Sequence, residues 1–182
     1  AARLRGTRKE NRMFLNGKRF AGLTAILALL FAPVATASEP ESPMDTYRLT
    51  EAGLDSYEKT TVSVYEFLQA HPELGEALAE EYEPEDEDPT FAEMAQRFEA
   101  KAPGIGEVAR DAGMPLEEYF RFTMVFAMNA FTATMMDQYG GQEDPAMSDI
   151  ARDNLAFVRK HQQRFKDFDA RMKEKYGALM GE

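Results

Sequence analysis

The chain has no cysteine, no tryptophan and only two histidines among its 182 residues. Without thiols it forms no disulfide, offers no thiolate to a metal and holds no cysteine nucleophile. Histidine chemistry would have to use His71 or His161. The spacings that usually carry such chemistry are missing: there is no Gly-x-Ser-x-Gly elbow, no His-Glu-x-x-His zinc helix and no Glu-x-x-His pair of a carboxylate-bridged di-iron bundle. Gly104-Ile105-Gly106-Glu107-Val108-Ala109 fits a dinucleotide-binding pattern by letter. No strand pattern precedes it and Ala102-Pro103 is a poor lead-in, so nothing would aim its amides at a phosphate. Convincing strands and internal repeats are absent too. An enzyme is therefore the reading with least behind it.

Basic residues are few, at 21 against 32 acidic ones. Seven of the 21 and one of the 32 lie in residues 1–37, so the remainder carries 14 basic and 31 acidic side chains, a formal charge of −17. Such a chain is repelled by nucleic acid and by anionic lipid. The imbalance is local: residues 39–118 hold 22 acidic and 5 basic side chains, whereas Arg159 to Lys175 holds seven basic and three acidic. Docking of the last helix onto the acidic half is the economical use of that asymmetry; an anionic partner is the other.

What is present is a central apolar stretch, Phe122 to Met136, with no formal charge over fifteen residues. Pro115 and the pair Glu117-Glu118 mark a helix start, and Gly140-Gly141 marks its end. The spacing predicts a central helix over about 115–138. Apolar residues surround it, so most of its circumference is expected to be covered by protein. Thr123, Ala127, Ala130 and Thr134 make a face of small side chains; Met124, Met128, Phe131 and Met135 make a face of large ones that needs neighbours with gaps to fill. At about 1.5 Å per residue the uncharged run covers about 22 Å, short of the roughly 30 Å of a bilayer core. It reads as a buried helix rather than a membrane span.

The N-terminal part resembles a secretory signal. From Met13, a candidate start, Lys18-Arg19 precede a mostly apolar run from Ala21 to Val34, and Ala35-Thr36-Ala37 matches a small-x-small cleavage site. Cleavage is expected after Ala37, with export by the general secretory route to a bacterial periplasm or beyond and no membrane span thereafter. Residues 38–48, with two prolines and no apolar period, read as a flexible leader, and 49–182 as one helical domain.

Within that domain, Thr50 caps a helix from Glu51 to about Ala70, which His71-Pro72 interrupts. A shorter helix follows over Glu73 to Glu81. The loop 80–88 (EEYEPEDED) lacks the spacing and glycine of a calcium loop. Thr90 and Glu93 form a capping box for Phe91 to Lys101, Ile105 to Ala112 is a short helix closed by Gly113, and Ser148 or Asp149 opens the last helix, expected to end near Tyr176 before Gly177. The fold class is all-α: an irregular bundle of about five or six helices around the central one.

His161 lies on the apolar stripe of the last helix, with Ile150, Asn154, Phe157, Val158, Phe165, Phe168 and Met172. As a core-edge imidazole it would bond a tyrosine, Asn129 or a carbonyl; as a ligand it would bind metal or haem iron, with Met124, Met128 or Met135 as second axial candidates. Asn129, the one amide of the central run, either fixes helix register or lines a polar pocket. Ten methionines beyond residue 37 either fill an irregular core or adapt to apolar ligands. Together these features favour a non-enzymatic exported protein that binds a protein partner or a small apolar ligand, with His161, Asn129, Met124 and Met128 as candidate ligand-binding residues and no resident cofactor. A metal- or haem-carrying bundle using His161 is the alternative.

Overall fold

A computed structural model describes residues 42–79, 89–139 and 146–180. The signal-like segment, the 80–88 loop and Gly140-Gly141 lie outside the described residues. Within them the fold is all-α: a single turn α1 (Pro43–Thr46), then α2 (Glu51–Ala70), α3 (Pro72–Ala79), α4 (Phe91–Lys101), α5 (Ile105–Ala112), α6 (Leu116–Tyr139) and α7 (Asp149–Met180).

The boundaries follow local chemistry. The Thr50 side chain accepts from Gly53 N–H at the start of α2, and the Thr90–Glu93 capping box is closed in both directions at α4. Ser148 Oγ accepts from Ala151 N–H at 3.1 Å, so Ser148 rather than Asp149 caps α7. Gly104 and Gly113 bracket α5 at φ +92° and +108°, a conformation that side chains with a Cβ resist. Gly177 does not stop α7, which runs on to Met180: a glycine within a helix costs only about 1 kcal/mol, and Tyr176 beside it is 1% exposed and holds that turn down.

Helices α2 and α7 run parallel and α6 runs antiparallel to α7. Between them lies an aromatic core. Tyr57 stacks on Tyr119 and Phe122 with ring centroids 5.2 and 5.0 Å away, and Phe126 stacks on Phe165 at 4.3 Å. Such pairs contribute about 0.5–1.5 kcal/mol beyond their area. A second, mostly aliphatic cluster joins α2, α3 and α5 through Val64, Leu68, Leu78, Ile105 and Ala109, with Phe98 of α4 and Phe120 of α6 packed against it.

Two expectations are corrected. Residues 42–48, read as flexible leader, are held in place: α1 makes its turn, Tyr47 Oη donates to Glu118 at 2.5 Å, and Arg48 pairs with Asp153. These partners come from α6 and α7, which is why no local periodicity announced them. The second concerns α6. Its buried residues are Leu116, Phe122, Val125, Phe126, Asn129 and Ala133, one stripe facing α2 and α7. The face of large side chains points the other way: Phe131 is 55% exposed, Met135 39% and Tyr139 75%, with Met124 and Met128 half-buried.

Candidate functional site

The last helix places His161 at the seam between α7 and the first turn of α2. The imidazole is 8% exposed, packs on Phe157 at 4.4 Å between centroids, and sets Nε2 2.9 Å from Glu51 Oε1. Glu51 follows the N-cap, where a helix favours negative charge. It also accepts from Lys160 Nζ at 2.6 Å and lies 4.0 Å from Arg164. The hydrogen bond from Lys160, then the nearby charge of His161, hold its carboxyl below the ordinary range. A metal cation or haem iron at His161 Nε2 would compete with Glu51 for that nitrogen and would sit beside the Lys160 ammonium. Among the described residues no group of three or more His, Asp or Glu converges as a metal cage. The cluster ties α2 to α7.

Asn129 bonds its own helix. It is 2% exposed and its Nδ2 donates to Val125 O at 2.8 Å, one turn back on its own helix. Met124 and Met128 lie on the outer face of α6, away from the Phe122 stripe. The four candidates are therefore divided among a helix seam, a core and an outer face.

The amide that staples the fold is Asn154. It is fully buried on α7; its Oδ1 accepts from Leu49 N–H at 2.8 Å and its Nδ2 donates to Tyr47 O at 2.7 Å. It thus satisfies both backbone groups of the segment entering α2. The signal was legible, since Asn154 stands on the same apolar stripe as His161; its partner was not.

Charge pairing along the α2–α7 seam is extensive. Arg164 bonds Glu58 at 2.9 Å and Asp55 at 2.6 Å, which pushes its guanidinium pKa up. Lys175 bonds Glu66 at 2.8 Å, which raises its ammonium pKa to about 12. The basic helix docks on the acidic one, the economical use of the asymmetry in the sequence.

The exposed stripe of α6 is the feature these pairings leave out. Its exposed large side chains are Phe131, Met135 and Tyr139, with the half-buried Met124 and Met128 on the same arc, away from Phe122, Phe126 and Ala133. No charged residue interrupts the arc between Arg121 and Asp137. No protein-family model, characterised protein or solved structure matches this chain.

Proposed function

We propose that the protein works without catalysis, as an exported helical module that binds a protein partner through the outer face of α6. The observation that supports this most is the row of exposed large side chains, led by Met135 and Tyr139, on the helix whose other side forms the core. Exposed apolar rows of this kind mark protein contact sites more often than isolated apolar residues do. Methionine suits such a surface because its unbranched, polarisable side chain adapts to the shape it meets. The chain is acidic overall, and the uncharged arc is where a partner is held by apolar contact rather than by charge. No helix among the described residues is long and apolar enough to cross a membrane.

The test is site-specific photocrosslinking in cells. A benzoyl-phenylalanine at Met135 is expected to trap one discrete partner, which the additional changes Met128→Ser and Tyr139→Ser abolish. The same probe at Gln162 on α7 should trap none. Equal trapping from both positions, or none from Met135, refutes this reading.

A further inference from the structure

Between the Arg164 and Lys175 rungs of the α2–α7 seam the two helices part around a groove of about 530 Å³. Val62, Phe168, Met172 and Tyr176 form its floor, and no residue of α6 lines it. The volume lies within the roughly 300–1,000 Å³ typical of small-ligand pockets. Most of its charges are already used. Asp55 and Glu58 are bonded to Arg164, and Lys175 to Glu66. Two cations remain, Lys59 on the α2 rim and Arg171 on the α7 rim. Neither forms an ion pair among the described residues; Arg171 instead lies over the Phe168 ring at 5.8 Å from its centroid. Lys59 and Arg171 therefore flank the apolar floor from opposite rims with no carboxylate bonded to either, an arrangement that suits an anion.

We propose that this groove is a binding site for a small, freely dissolved anionic amphiphile, a carboxylate on an apolar chain or ring. Its head pairs with Arg171 and Lys59, and its body lies along Val62 and the aliphatic stems of the rim side chains, above the buried Phe168 and Met172. A guanidinium takes a carboxylate through two parallel hydrogen bonds, and Lys59 adds a point charge from the opposite rim. Both rims are open to solvent, so salt screens the head-group contacts and the affinity falls as ionic strength rises.

The probe is decanoate, titrated below its micelle concentration into the purified protein by calorimetry, with amide NMR shifts to locate it. Saturable binding is expected, with shifts centred on Val62, Ser63 and Met172. The double variant Lys59→Gln/Arg171→Gln should bind decanoate at least tenfold more weakly. Both side chains are exposed and outside the ion-pair ladder, so an unchanged helical circular-dichroism spectrum and melting temperature are expected and certify the variant as folded. Decanol, with the same chain and no charge, should bind the wild type more weakly than decanoate does and should not distinguish it from the variant. Equal decanoate affinity for both proteins overturns the proposal. So do shifts centred on the α6 arc, or binding seen only with vesicles of anionic lipid and not with dissolved decanoate. Failure here leaves the crosslinking result at Met135 unaffected, since the two sites share no residue.

Discussion

The two sides of α6 are built from nearly the same residue types and have opposite fates. Phe122, Val125 and Phe126 are at most 4% exposed, while Phe131, Met135 and Tyr139 are 39% exposed or more. Hydrophobicity alone does not separate them. What separates them is the angle each takes around the axis relative to α2 and α7, and how many apolar faces those helices have left to offer. A helix that is apolar all round keeps an apolar face in water along any length its neighbours leave open: α4 packs Phe98 on Phe120 near the start of α6, whereas Phe131, Met135 and Tyr139 farther along are exposed, and that stretch is where a role in binding is to be sought.

The largest effect is expected inside the core. Phe122→Ala should cost about 3–5 kcal/mol in urea unfolding, because the ring is fully buried and touches both Tyr57 and Phe126. Asn154→Ala should cost about 2 kcal/mol, since it leaves Leu49 N–H and Tyr47 O without their partner. It should also speed amide exchange at Leu49 specifically, which a cavity at Phe122 would not do. On the outside, Met135→Ser should change stability by no more than about 0.5 kcal/mol. A loss near that of Phe122→Ala would mean that the outer face is covered after all.

The smallest effect is electrostatic. The Glu51 and Glu66 carboxyls are held below their ordinary value of 4.5, chiefly by hydrogen bonds from Lys160 and Lys175. A depressed folded-state pKa contributes stability that is present above the unfolded value and lost as pH falls through the folded one. The melting temperature should therefore decline as pH drops below about 4.5, and high salt should flatten the decline because these pairs are exposed. The inner stripe of α6 should show neither dependence.

Much of the architecture was legible without coordinates. The caps at Thr50 and Thr90, the break at His71-Pro72 and the stop at Gly113 are each decided within four residues, so reading them needs no partner. Charge alone made the pairing of the basic last helix with the acidic half the economical reading beside an anionic partner, without naming its rungs. The candidate site was legible in its residues and not in its grouping. His161 was marked by standing on an apolar stripe, but Glu51 lies 110 positions away and nothing local names it. Asn129 and Asn154 look alike as single amides on apolar stripes; one bonds its own helix and the other clamps a distant strand of chain.

By itself the sequence determined the all-α class, the caps at Thr50 and Thr90, the stop at Gly113 and the absence of thiol chemistry, because capping, backbone freedom and composition act over one turn or over none. Only the tertiary structure decided which arc of α6 would be core, which amide would be the clamp and which cations of the α2–α7 groove would be left without a carboxylate. Those outcomes depend on which surfaces remain once every helix has taken its neighbours, and such a remainder is a property of the assembled set that no single segment carries.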